Sequence, residues 1–94
     1  MQIIRDTSYL QKLQFIMEYI AQDSVNQALK FQVDLDETID DIPNMPFKYK
    51  KSIYFNDKNI RDLVFKGYVV PYKIDTAKNQ ITIIGINKYM EKLK

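Results

Sequence analysis

The stretch RDLVFKGYVVPYKIDTAKNQITIIGI, residues 61–86, decides the fold of this 94-residue chain. Apolar side chains recur at every second position along residues 68–74, which is the spacing of a β-strand with one buried face. The pair Lys66-Gly67 before this segment is typical of a tight turn, because glycine accepts positive φ at little cost. We therefore predict three short antiparallel strands, over residues 63–65, 68–74 and 80–86.

The middle strand carries the most specific expectations about side chains. Its alternation predicts that one set faces the core, Tyr68, Val70, Tyr72 and Ile74, and that Val69 and Lys73 face away. Pro71 lies between them and has no N–H to donate to a neighbouring strand. A strand with proline at this position is expected to lie near a sheet edge or beside a bulge.

Two helices are predicted before these strands, over residues 8–22 and 25–42. Each begins with a serine followed three positions later by a glutamine, Ser8 with Gln11 and Ser24 with Gln27, as in a capping box. The apolar stripe of the first helix comprises Leu10, Leu13, Met17 and Ile20, widened by Phe15, Ile16 and Tyr19. The apolar side of the second helix comprises Val25, Ala28, Leu29, Leu35, Ile39 and Ile42. Its opposite face is acidic, with Asp34, Asp36, Glu37, Asp40 and Asp41.

The order of these elements predicts the fold class. Ile3 and Ile4 indicate a first strand over residues 1–5, which would pair with the later sheet. The order is then β-α-α-β-β-β, an α+β fold in which a helical hairpin packs on one face of a small antiparallel sheet. At this length we expect a single domain, residues 1–94.

Composition excludes several kinds of site. The chain has no cysteine and no histidine, so disulfides and the usual zinc ligands are absent. We therefore expect no metal and no cofactor. No apolar stretch approaches membrane-spanning length, and no targeting segment is recognisable, so a cytoplasmic protein without a membrane partner is expected.

Charge is divided between the two halves of the chain. Residues 1–47 contain three basic and eight acidic residues, a net charge of −5, whereas residues 48–94 contain eleven basic and four acidic residues, a net charge of +7. One interpretation is that the basic half meets an anionic partner, and the other is that the two halves attract each other within the fold. The sequence leaves both open.

The connector between the helices and the sheet, residues 47–55, interleaves lysines with aromatic residues. Lysines bind phosphates and tyrosines stack on unpaired bases, which is one interpretation of this pattern. The alternative is a loop whose aromatic rings cover the edge of the core while its lysines stay in water. This second interpretation is the more frequent one for such a segment.

Motif pieces in this order resemble the RelE/ParE superfamily of bacterial type II toxins. The pieces are Leu13-x-x-Ile16-x-x-Tyr19-Ile20-Ala21-x-Asp23-Ser24, Ala28, Pro46, Ile60-Arg61-x-Leu63-Val64, Tyr68-Val69-Val70-x-Tyr72-x-Ile74 and Ile81-x-Ile83. The resemblance covers nearly the whole chain. It implies the toxin of a toxin–antitoxin system, of the kind that stabilises plasmids, neutralised by a cognate antitoxin protein.

Two activities compete within that superfamily. RelE-like members cut messenger RNA on the ribosome, whereas ParE-like members poison DNA gyrase. Where the nuclease branch places cations, alignment on Gly67-Tyr68 finds Ile60, Asp62 and Val69. The resemblance therefore favours a ParE-like gyrase inhibitor with no catalytic residues. The alternatives are a ribosome-dependent endoribonuclease and a non-toxic member that only binds antitoxin.

The resemblance also implies two sets of contact residues. Contacts to gyrase, or in the alternative to ribosome and messenger RNA, are expected from Lys48, Lys50, Lys51, Arg61, Lys66, Lys88 and Tyr89. The antitoxin is expected to cross the helical hairpin and the sheet, and its candidate contacts, if exposed, are Tyr9, Phe15, Tyr19 and Phe31. A homodimer through the same surface and a toxin–antitoxin hetero-oligomer are both compatible with the sequence.

Overall fold

The computed structural model describes residues 1–89 and shows the expected order of elements. The two helices are α1 (Thr7–Asp23) and α2 (Val25–Asp40), followed by a 3₁₀ turn at Ile42–Asn44. The strands are β1 (Gln2–Arg5), β2 (Ile60–Phe65), β3 (Tyr68–Asp75), β4 (Gln80–Ile83) and the short β5 (Asn87–Lys88). The α+β class and the helical hairpin on a sheet are confirmed.

The sheet has the strand order β1-β4-β3-β2. The β2–β3 and β3–β4 pairs are antiparallel, as expected from the meander. The first strand does join the sheet, but it runs parallel to β4, with Ile3 opposite Ile81. The sheet is therefore mixed, and β3 is a central strand with a neighbour on each side.

Pro71 lies beside a β-bulge. Tyr72 pairs with Ile83, whereas Val69 pairs with Asn87. The three residues 84–86 therefore lie opposite only two residues of β3, 70 and 71. The carbonyl of Pro71 accepts the N–H of Ile84 at 2.9 Å. The N–H of a strand residue lies on the same side as its carbonyl, so Pro71 has no donor to offer on this side. The strand expected over residues 80–86 therefore stops at Ile83 and resumes as β5, because the ladder cannot continue regularly past Pro71.

The helix ends differ from expectation at two points. Asp6, not Ser8, is the N-cap of α1, and its carboxylate accepts the N–H of Thr7 at 2.9 Å. Ser24 caps α2 as expected, with its hydroxyl accepting the N–H of Gln27 at 3.1 Å. The second helix ends at Asp40, and Pro43 in the following 3₁₀ turn has no N–H with which an α-helix could continue.

The core between the hairpin and the sheet differs in part from the predicted stripes. All four predicted residues of β3 pack in or against it: Tyr68, Val70, Tyr72 and Ile74. From the helices it includes Tyr9, Leu13, Phe31, Leu35, Ile39 and Ile42. Val25 and Leu29 were expected in the core but are 63% and 54% exposed, and Leu10 is also exposed. Val25, Leu29 and Val33 are spaced four residues apart, so they form a second apolar stripe on the outer side of α2.

The opposite face of β3 is covered as well. Val69 is turned away from the core cluster as predicted, yet it is only 1% exposed, and it lines a cavity together with residues of the connector. Lys73 is exposed and lies 3.7 Å from the Asp57 carboxylate. Strand β3 is therefore buried on both faces for most of its length.

Tyr72 attaches the connector to the core. Its hydroxyl donates to the carbonyl of Pro46 at 2.6 Å, and its ring meets Tyr49 edge to face at 6.3 Å. Burial raises the pKa of the Tyr72 hydroxyl well above its usual range. The proton therefore stays on the oxygen and remains available to the Pro46 carbonyl.

We expect Tyr72→Ala to lower the free energy of unfolding by about 3–5 kcal/mol, because a large aromatic side chain leaves a cavity when it is removed. Tyr72→Phe should cost about 0.5–1.5 kcal/mol, because the half-buried Pro46 carbonyl then loses its donor. Urea unfolding measures both values. Tyr54→Phe is the control, since the ring of Tyr54 is half exposed. Equal stability of Tyr72→Phe and the unmodified chain would contradict the role given to this hydrogen bond.

Candidate functional site

A cavity of about 410 Å³ lies on the face of the sheet opposite the helices, and we call it the outer-face cavity. Its lining comprises Lys48, Tyr49, Lys50, Lys51, Ile53, Asp62, Val64, Val69 and Tyr89. Four of the predicted target contacts meet here: Lys48, Lys50, Lys51 and Tyr89. Their side chains are exposed, so their charges and the Tyr89 ring are accessible to a partner.

The connector holds these lysines in place by pairing its backbone with β2. The N–H of Asp62 donates to the Lys50 carbonyl at 3.0 Å, and the N–H of Ser52 donates to the Ile60 carbonyl at 2.8 Å. Lys51 forms an isolated antiparallel bridge with Arg61. The connector thus acts as a short, irregular edge strand, and successive lysines project from a fixed backbone.

Arg61 has a structural position rather than an exposed one. Its guanidinium donates to the Tyr49 carbonyl at 3.0 Å and lies 5.0 Å from the centre of the Phe47 ring. Its Nε is buried and has no hydrogen-bond partner within residues 1–89. Arg61 therefore contributes to holding the connector, in agreement with the interpretation that the connector's aromatic residues cover the edge of the core.

Asp62 places a carboxylate among the lysines of the outer-face cavity. One carboxylate oxygen accepts the N–H of Ile53 at 3.0 Å, which fixes the turn of the connector. The other oxygen is buried and has no partner in the part of the chain that the structure describes. A negative group at this position lowers the affinity of the cavity floor for phosphate, while the exposed lysines around it keep the rim cationic.

The other two predicted cations line a different cavity, of about 600 Å³, which we call the hairpin groove. It lies where the hairpin connection approaches the turn between β2 and β3. Its lining comprises Ile20, Gln27, Lys30, Phe31, Lys66, Gly67, Tyr68 and Lys88. Successive residues of a strand point to opposite faces, so Lys88 reaches this groove while Tyr89 lines the outer-face cavity.

Asp34 neutralises part of the charge of the hairpin groove. Its carboxylate accepts from the ammonium groups of Lys66 at 2.8 Å and Lys30 at 3.1 Å. These two contacts, Lys66 first, hold the pKa of Asp34 below its ordinary value. The pairing of Asp34 with Lys30 is predictable from their spacing on one helix. The pairing with Lys66 is not, because Lys66 is far away in the sequence.

The predicted antitoxin contacts divide into two buried and two exposed residues. Tyr9 is fully buried and Phe31 nearly so, so both fail the condition of exposure and belong to the core. Burial, followed by the charge of Asp36, raises the pKa of Tyr9 to about 12. Phe15 and Tyr19 are 73% and 68% exposed, one helical turn apart on α1. They form an accessible aromatic pair.

The acidic face of α2 is largely paired within its own half of the chain. Arg5 lies 3.2 Å from the Asp40 carboxylate and 3.7 Å from that of Asp36. Of the ion pairs within residues 1–89, only Lys66–Asp34 joins the acidic half of the chain to the basic half. Attraction between the halves therefore accounts for little of the charge division, and most basic side chains are left facing solvent.

The part of the chain that the structure describes offers neither a metal site nor a membrane-spanning helix. Within residues 1–89 no cluster of three or more acidic side chains has the arrangement of a metal site. Neither helix in this part of the chain is long and apolar enough to span a membrane.

Comparison with known proteins identifies the family. The sequence model described as "ParE toxin of type II toxin-antitoxin system, parDE" matches residues 3–92. A solved structure titled "Chromosomal ParDE TA system from P. aeruginosa" is similar in fold, with a TM-score of 0.76 and 16% identity over 96% of this chain and 97% of that chain. No curated protein matches the sequence significantly. Because the family match spans nearly the whole chain, this chain belongs to the ParE toxin family of type II toxin–antitoxin systems.

Proposed function

We propose that this chain arrests growth by binding DNA gyrase and that a cognate antitoxin neutralises it. The observation that carries the proposal is the family match over residues 3–92, together with two separate exposed surfaces suited to two partners. One surface is the basic outer-face cavity, and the other is the aromatic pair on α1. A toxin of this kind needs both, because it must recognise its target and its inhibitor.

The outer-face cavity supports the role of target contact. Its rim of Lys48, Lys50 and Lys51 is exposed, and Ile53 and Val64 beside it are 71% and 57% exposed. Exposed apolar residues next to cations are typical of a protein interface, in which the charges guide association and the apolar groups supply contact area. An anionic surface, such as that of gyrase bound to DNA, fits this arrangement.

The same surface gives little support to RNA cleavage. Ile60 and Val69 are buried, and Asp62 presents a carboxylate where a nuclease of the superfamily would place a cation. Cleavage of RNA develops negative charge on the scissile phosphate, and a carboxylate at that point opposes it. We therefore assign the lysines to binding rather than to catalysis.

The aromatic pair of Phe15 and Tyr19 supports the role of antitoxin contact. Large aromatic side chains that are exposed in the free protein are the residues that most often anchor a partner. The exposed stripe of Val25, Leu29 and Val33 extends the apolar surface onto α2. A segment that crosses the hairpin would cover both groups.

We expect induced expression of the chain to stop growth and the purified protein to inhibit supercoiling by gyrase. Lys50→Glu should weaken inhibition several-fold, because it reverses a charge on the rim of the outer-face cavity. Lys78→Glu is the matched control, since Lys78 is an exposed lysine in the turn between β3 and β4. A supercoiling assay across protein concentrations measures the difference.

Two outcomes would argue against gyrase as the target. Growth arrest with unchanged supercoiling, accompanied by cuts in ribosome-bound transcripts, would indicate the nuclease activity instead. Absence of any growth effect, with binding to the product of a neighbouring antitoxin gene retained, would indicate a member that only binds antitoxin.

We expect Phe15→Ala and Tyr19→Ala to speed dissociation of the antitoxin, each by tenfold or more, because aromatic anchors commonly contribute about 2 kcal/mol or more. Surface plasmon resonance with the product of the adjacent antitoxin gene measures the rates. Tyr54→Ala is the control, because Tyr54 is a half-exposed aromatic residue on the connector. Equal dissociation rates for all three variants would place the antitoxin elsewhere.

A further inference from the structure

The hairpin groove combines an apolar floor with a cationic rim. Ile20, Phe31 and Tyr68 form the floor, where Phe31 meets Tyr68 edge to face at 5.5 Å. The rim carries three lysines, Lys30, Lys66 and Lys88. Its volume of about 600 Å³ is sufficient for one or two side chains of a partner.

Two lysines of the groove already bind a carboxylate, that of Asp34. Lys66 and Lys30 both donate to one oxygen of Asp34, at 2.8 and 3.1 Å. Two of the three lysines therefore share one carboxylate, and the groove keeps an excess of positive charge. This internal pairing shows which chemical group the rim accepts and leaves room for a second one.

We propose that the hairpin groove binds an acidic peptide segment that inserts an apolar side chain, and that this segment is part of the antitoxin. The inference rests on the proposed neutralisation by an antitoxin. Partner carboxylates contact Lys88 and share Lys30 and Lys66 with Asp34. The apolar side chain lies on Ile20 and Tyr68, beneath which Phe31 closes the floor. The lysines of this groove are then antitoxin contacts, whereas those of the outer-face cavity contact the target.

The floor favours a peptide over nucleic acid. A base binds best on an open aromatic face, whereas here Phe31 is almost fully buried and packs against Phe65 and Tyr68 through ring edges. Ile20 adds aliphatic surface, which suits a branched apolar side chain.

The groove adjoins the exposed aromatic pair along α1. Ile20 lines the groove, Tyr19 precedes it directly in sequence, and Phe15 lies one turn earlier on the same helix. Successive helix residues point about 100° apart, so a segment that covers Phe15 and Tyr19 would pass around α1 to the groove. This proximity is why we assign the groove to the antitoxin rather than to an unrelated partner.

The test is a titration of the ¹⁵N-labelled full chain, followed by NMR, with three short synthetic peptides. The first alternates glutamate with leucine, the second replaces glutamate by glutamine, and the third replaces leucine by serine. We expect only the first peptide to shift the amide signals of Lys66 and Gly67. Its affinity for the chain should fall as the salt concentration rises. An oligothymidylate of similar length is a fourth probe, for phosphate.

Variants of the rim should change affinity in opposite directions. The double variant Lys66→Gln with Lys88→Gln should bind the acidic peptide with about fivefold lower affinity, because it removes two exposed cations. Asp34→Asn should bind the peptide with about twofold higher affinity, because Lys30 and Lys66 lose their internal partner. Lys78→Gln is the matched control, since Lys78 lies beyond the far end of β3, about 23 Å from the groove.

Each contrary result has a distinct meaning. Equal binding of the acidic peptide to the double variant and to Lys78→Gln would overturn the inference, as would stronger shifts with oligothymidylate. If the antitoxin binds both of these variants equally while the peptide distinguishes them, the groove is not where the antitoxin binds, and neutralisation itself stands. If no antitoxin binds the unmodified chain, the proposed function fails, whatever the peptide does.

Discussion

The rest of the structure depends on the burial of β3 on both faces. Tyr72 and Pro71 are neighbours on this strand, and both are fully buried although they point in opposite directions. The helical hairpin and Tyr49 cover the Tyr72 face, and on the other face Val69 lines the outer-face cavity with residues of the connector. Because Tyr72 also donates to Pro46, one side chain joins the core to the connector. The position of the basic outer-face cavity follows from this attachment.

The fold was largely predictable because its signals are local. Alternation along β3 placed Tyr72 in the core, and Ser24 marked the start of α2. The errors concern choices that depend on distant residues. Leu29 and Phe31 are both apolar and close together on α2, but only Phe31 meets Phe65 and Tyr68 across the core. No local pattern states which of two apolar faces a sheet will cover.

The candidate site was less predictable than the fold, for a related reason. The basic residues were recognisable as a group, but strand alternation separates Lys88 from Tyr89, and Arg61 is held by the carbonyl of Tyr49. The pairing of Lys66 with Asp34 joins residues far apart in the chain. Composition reports how much charge a protein has, whereas the division of that charge between surfaces is set by tertiary contacts.

The parallel pairing of β1 with β4 has a consequence for synthesis of the protein. Gln2 pairs with Gln80, so the first strand has no partner until residues 80–83 have left the ribosome. Contacts between such distant segments are slow to form, because a long loop must close first. Until β4 has left the ribosome, one edge of β3 is unpaired and β1 has no partner strand. The sheet is therefore complete only after β4 has left the ribosome, and any interruption within β4 removes the partner of β1 as well.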